Sequence, residues 1–208
     1  DVANGATIQF QGNHSFSNSS QINGAGTYVL SGGNRIFNGA WNHTGNLTTV
    51  GGFTAIDTFN TTTPINVNAF QGGNTFVINT PFAADSASLV GSITANAPVT
   101  FGSVIWGNAN LAGAGGYTVT GPMTIQGQNA PTLTGTTLTA LGNTTMTTSV
   151  QGAGSLRLND GATFINQGTF DFNSDVFVVQ NANGAASTFI NQGVVSKSGG
   201  TGMAGFES

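Results

Sequence analysis

The six residues Thr163-Phe164-Ile165-Asn166-Gln167-Gly168 return 25 positions later as Thr188-Phe189-Ile190-Asn191-Gln192-Gly193. A repeat at that period marks a chain built from stacked supersecondary units, each burying its apolar face against the next. A looser echo joins Gly24-Ala25-Gly26-Thr27-Tyr28-Val29-Leu30-Ser31-Gly32 to Gly113-Ala114-Gly115-Gly116-Tyr117-Thr118-Val119-Thr120-Gly121 and to Gly152-Ala153-Gly154-Ser155-Leu156-Arg157-Leu158-Asn159. Each reads as a turn that feeds a short alternating strand.

The units are strands. Thr, Val, Ile and Phe dominate between Gly and Asn punctuation, while strong helix formers are scattered. Short runs at Thr7–Phe10, Arg35–Phe37, Thr75–Ile78, Ser92–Thr94, Val99–Phe101, Met123–Ile125, Phe170–Phe172 and Val176–Val179 sit between Gly, Asn, Ser and Pro. Strands this short suit a parallel solenoid, where each pairs with its equivalent one turn away at about 4.8 Å and the sheet grows along the axis. The expectation is an all-β chain, a right-handed parallel β-helix of roughly ten short coils over 1–208, at coil lengths near ~20 residues. Residues 100–205 are the most repeat-like, and the spacing over 40–100 is irregular. Phe164, Phe189, Ile165 and Ile190 are assigned to one core ladder. Gly and Asn are expected at corners that demand positive φ.

Composition excludes several alternatives. Hydrophobic residues reach 38% with 15 Phe, too much apolar material for a disordered chain. Charged residues are 5% of the chain, against about 25% in an average globular domain. The basic residues are Arg35, Arg157 and Lys197, which form no patch able to neutralise a phosphate backbone, so nucleic acid is not an expected partner. No apolar run approaches the ~18 residues of a membrane helix. The chain opens on Asp1 without a signal-like leader, which implies either a leader removed or a piece of something longer. With no cysteine, neither disulfides nor thiolate metal sites contribute.

Trp106-Gly107-Asn108-Ala109-Asn110-Leu111-Ala112-Gly113-Ala114-Gly115, then Asn159-Asp160-Gly161-Ala162 running into the first Thr-Phe-Ile-Asn-Gln-Gly block and Lys197-Ser198-Gly199-Gly200-Thr201-Gly202 after the second, resemble the repeats of large secreted bacterial β-solenoid proteins. These include haemagglutinin-like adhesins and autotransporter passengers. The resemblance covers about 100–205 and implies an extracellular or cell-surface location and a structural or adhesive role; that the chain is not an enzyme is expected from its inventory of acidic residues and histidines, below.

The candidate sites are few. Trp41, Trp106, Tyr28 and Tyr117 carry flat rings suited to a sugar face, against the alternative that they fill the core. A hydrolytic carboxylate pair must sit about 5 to 9 Å apart, whereas Asp171 and Asp175 on one strand would be about 13 Å apart. Asp160 is read as a turn residue. His14 and His43 lie in Asn- and Ser-rich stretches and are read as solvated. No calcium-binding Gly-Gly-x-Gly-x-Asp repeat occurs: Gly72-Gly73-Asn74 and Gly199-Gly200-Thr201 lack the Asp. No catalytic, metal or cofactor site is therefore expected. Thr-x-Thr pairs at 118/120, 132/134, 137/139 and 145/147 would make an ice-binding face only in ranks at a constant interval; the intervals are uneven, and Thr is favoured in any strand. Six Asn-x-Ser/Thr sequons begin at Asn13, Asn18, Asn42, Asn46, Asn60 and Asn143.

The reading is an extracellular rod or stalk module whose neighbours are further solenoid segments, with surface glycans as ligands. Neither terminus reads as a solenoid cap. The alternative is therefore a filament subunit stacking end to end on itself, and the further one a carbohydrate-binding or carbohydrate-cleaving β-helix.

Overall fold

The computed structural model describes residues 1–50, 55–126, 130–147, 155–180 and 184–207. The Gly152-Ala153-Gly154 turn lies outside them. All regular structure among the described residues is β-strand, and these strands pair in parallel, so the chain winds as a parallel β-solenoid. Several expected strands stand where the apolar runs placed them, including Arg35–Phe37, Thr75–Ile78 and Met123–Ile125.

Each coil contributes to three faces, here A, B and C in chain order. On face A one inward column runs Ile8, Tyr28, Leu47, Phe70, Ala87, Val104, Met123, Thr144, Phe170, Val195. Successive members are 20, 19, 23, 17, 17, 19, 21, 26 and 25 residues apart. Register is therefore kept by strand pairing while the connections vary in length. The 17-residue intervals fall where the chain runs as two long strands bent around the corners, Phe82–Ala95 and Val99–Ala112.

The core is a set of ladders. On face B, Phe16, Phe37, Phe59 and Phe76 form a continuous ring stack, with centroids 4.7, 5.0 and 5.9 Å apart and planes within 10° of parallel. On face C the column Ile65, Phe82, Val99, Tyr117, Leu138, Phe164, Phe189 points inward. Phe164 and Phe189 stack at 5.2 Å. Ile165 and Ile190 do not share that ladder. Side chains alternate across a strand, so with Phe164 and Phe189 inward their neighbours point out, and Ile190 is 38% exposed.

The corners also differ from expectation. Among the described residues the non-glycine positive-φ positions are Ala130 and Asp160, and neither is Asn. The asparagines at the corner between faces B and C instead build a ladder of their own. Asn60 Nδ2 donates to Asn38 Oδ1 at 3.0 Å, Asn79 to Asn60 at 2.5 Å and Asn96 to Asn79 at 2.7 Å. Their backbone N–H groups continue the parallel sheet, donating to Phe37, Phe59 and Ile78 carbonyls. At the corner between faces C and A, Gly102, Gly121, Gly142, Gly168 and Gly193 stack. A Cβ on any of the last four would meet the carbonyl oxygen of the glycine before it at 2.0 to 2.4 Å. Glycine is required there by the closeness of the neighbouring coil.

Candidate functional site

The four aromatic candidates are all interior. Trp106 is 0% exposed, Trp41 and Tyr28 2%, and Tyr117 3%. Trp106 occupies the inward face A column between Leu89 and Ile125, and its Nε1 donates to the Ala109 carbonyl at 2.9 Å. Tyr117 donates to the carbonyl oxygens of Ile93 and Ala112, and burial raises its phenol pKa well above the ordinary value. Tyr28 and Trp41 pack around Phe37 and His43. None offers a ring to a ligand, which corrects the sugar-stacking assignment: in a core this narrow the large rings fill the cross-section.

His43 is also interior rather than solvated. It lies edge-on to Tyr28 at 4.7 Å, its Nε2 is 3.3 Å from the Asn46 carbonyl, and Nδ1 has no partner. Burial holds its pKa below the usual histidine value. His14 is half-buried on face B, in register with Arg35.

Four of the seven carboxylates have structural roles, and Asp1, Asp85 and Glu207 are exposed. Asp57 is fully buried against Arg35. Asp171 accepts from Ser196 and Ser198 one coil away, at 2.7 and 2.5 Å. Asp175 accepts from Lys197 Nζ and from the Gly202 backbone, both at 2.9 Å; these bonds hold its carboxyl below the usual range. Asp160 makes the turn before Gly161 with φ 53°. Among the described residues no three His, Asp or Glu side chains converge as a metal site, and no helix is long and apolar enough to cross a membrane.

What remains is surface. A shallow groove of about 590 Å³ runs across face A, lined by Asn46, Gln71, Ser86, Ser88, Ser103 and Ile105 among others. It results from small outward residues in register, Ala69 beside Ser86 and Ser103, between coils that carry longer side chains. None of its lining residues titrates near neutral pH, so it offers hydroxyl and amide hydrogen bonds and no acid–base chemistry. Sequence reasoning missed this groove because its walls come from several coils at unequal intervals. No family model, curated protein or solved structure matches this chain.

Proposed function

We propose that this chain is a structural and adhesive β-solenoid module, a rod or stalk on the outside of a bacterial cell and not an enzyme. The observation that carries the reading is the filling of the interior by side-chain ladders, from Tyr28 and Leu30 near one end to Phe170 and Phe172 near the other. Adjacent coils are tied by stacked rings, Asn and Gln amide bonds and the parallel sheet itself. Such a stack transmits load along its axis and gives proteases little exposed backbone. Uncharged Thr, Ser, Asn and Gln surfaces suit contact with neutral surface glycans, and the face A groove is the adhesive surface in this reading.

Antibodies raised against the purified chain should label intact, unpermeabilised source cells, and beads coated with it should adhere to glycan-bearing surfaces. Labelling only after permeabilisation would overturn the extracellular placement. Gln71→Ala should reduce bead adhesion without changing the melting temperature if the groove makes the contact.

A second reading is end-to-end stacking of copies. The axial surface of the coil at 188–207 presents Val195 and Phe206, 40% and 49% exposed, beside Phe189. Another solenoid coil would cover that surface, whether from the same chain or a second copy. Electron microscopy across a concentration series separates the two: fibres of constant width appearing with concentration favour stacked copies, and monodisperse short rods favour a module of a longer stalk.

A further inference from the structure

The outward surface of face C carries a two-dimensional array. Thr100, Thr118 and Thr139 stand in one column, in parallel register from coil to coil. Thr137, Thr163 and Thr188 stand in the column beside it. Ile165 and Ile190 extend the first column past Thr139, so three successive ranks read Thr-x-Thr, Thr-x-Ile, Thr-x-Ile. The register makes the array despite unequal sequence intervals: Thr118 to Thr139 is 21 residues, Thr139 to Ile165 is 26 and Ile165 to Ile190 is 25. Of the four Thr-x-Thr pairs, 137/139 lies whole on this face and Thr118 joins it, while 132/134 stands on face B and Thr145 on face A, so the array is made by register between coils and not by the pairs themselves.

The hydroxyls are also free. Within the described residues none of these six Thr side chains makes a hydrogen bond, a freedom shared by outward Thr58 and Thr124 on the other faces; what sets face C apart is the register of its columns. Gln167 and Gln192, bonded to each other at 2.9 Å, border the array on one side, and no charged residue enters it. Behind it lie the inward rings and aliphatics of Tyr117, Leu138, Phe164 and Phe189, which hold the strands rigid.

The chemistry of this surface selects its ligand. It has no aromatic platform and no amide or carboxylate fork within the array, so it lacks what directional sugar recognition uses. Five strands at about 4.8 Å and two outward columns at about 6.7 Å cover only ~300 Å², below the ~800 Å² per partner of a stable protein interface. It does offer methyl groups that order water and hydroxyls that hold it, on a repeat of ~4.8 by ~6.7 Å. A ligand that repeats at that scale in two dimensions is a crystalline water lattice. We propose that face C, from Thr100 to Ile190, binds the surface of ice. The assignment is independent of the surface-stalk reading, since it concerns one lateral face and not where the chain resides.

The test is partition into a slowly growing ice hemisphere, with recrystallisation inhibition alongside. Fluorescently labelled chain should enter the ice at a ratio several-fold above that of a non-binding control protein. Thr163→Lys, placing a hydrated charge mid-array, should return partition to the control level with an unchanged circular dichroism spectrum. Thr163→Tyr, which keeps strand propensity but breaks the even height, should do the same if the Lys variant folds poorly. Thr58→Lys, outward on face B, should partition like the parent. Exclusion of the folded parent chain from ice, including exclusion because copies pair through this face, would overturn the proposal. Full retention by the folded Thr163 variants would overturn it as well.

Discussion

Arg35 and Asp57 form a fully buried ion pair between adjacent coils, Nε donating to Oδ1 at 2.5 Å and Nη2 to Oδ2 at 3.1 Å. The guanidinium also donates to the Phe10, Gly12 and Gly32 carbonyls, and Asn74 Nδ2 approaches Asp57 Oδ2 at 3.4 Å. In the face B column the pair stands between His14 and Phe76, where every later position is apolar until Gln180. Desolvating two charges offsets most of their attraction, so the pair adds little net stability, but removing one partner leaves the other buried and unmatched. Arg35→Met should therefore cost about 3–5 kcal/mol, while Arg35→Met with Asp57→Leu should be near neutral or stabilising. Urea unfolding of both variants checks this; equal loss in single and double variants would show that packing, not charge, is what the site supplies.

The asparagine ladder makes a different prediction. Asn79 both donates to Asn60 and accepts from Asn96, so Asn79→Ala removes two amide bonds at an exposed corner. With each worth about 0.5–1.5 kcal/mol net, the expected cost is about 1–3 kcal/mol. Asn79→Asp should destabilise too, because a carboxylate cannot donate to Asn60. Thermal melts of the two variants against the parent measure it.

Gly142→Ala tests the glycine corner. The added Cβ would meet the Gly121 carbonyl oxygen at 2.3 Å, and both partners are backbone, so the coils must part locally at a cost of about 1–3 kcal/mol. Gly205→Ala, where an added Cβ would have nothing within 4 Å and φ is not positive, should be tolerated. Similar melting temperatures for both would show that the corner can relax.

Phe164→Ala should cost about 3–5 kcal/mol by emptying a stacked, fully buried position. Ile165→Thr, one residue on but outward, should stay within about 0.5 kcal/mol. This pair also shows what the sequence could and could not tell. The Thr-Phe-Ile-Asn-Gln-Gly repeat placed two strands and stacked Phe164 on Phe189, because identical segments one coil apart leave no other partner. It did not fix which side of the strand faces in, since Phe and Ile are both apolar. The four aromatic rings, weighed as ligand platforms against core fillers, are core, and the sequence left the two open because the interior is known only once the winding is. Asn and Gly were legible as corner residues, yet their reasons, amide ladders and carbonyl contact, depend on the residue one coil away. Arg35 and Asp57 are separated by 22 residues within coils of unequal length, so no period in the sequence pairs them.

His43 predicts the pH dependence. Its native pKa lies below the ordinary histidine value because burial against Tyr28 and Trp41 penalises the charged ring. In the unfolded chain it protonates near pH ~6.5. As pH falls through that value the unfolded state takes up a proton that the native state refuses, so stability declines; the decline ends at the lower native pKa, where both states are protonated. Above pH ~7 the residue is neutral in both states and contributes no slope. Asp175, whose pKa is also lowered, by its bonds from Lys197 and Gly202, likewise loses its contribution as pH falls, but only in the carboxylate range, well below this window. The melting temperature should therefore drop between about pH 7 and pH 5, and His43→Phe should flatten that segment while leaving the acid limb in place. A parent chain whose melting temperature is level across this range would mean that His43 is reached by water in solution and titrates as an exposed histidine does.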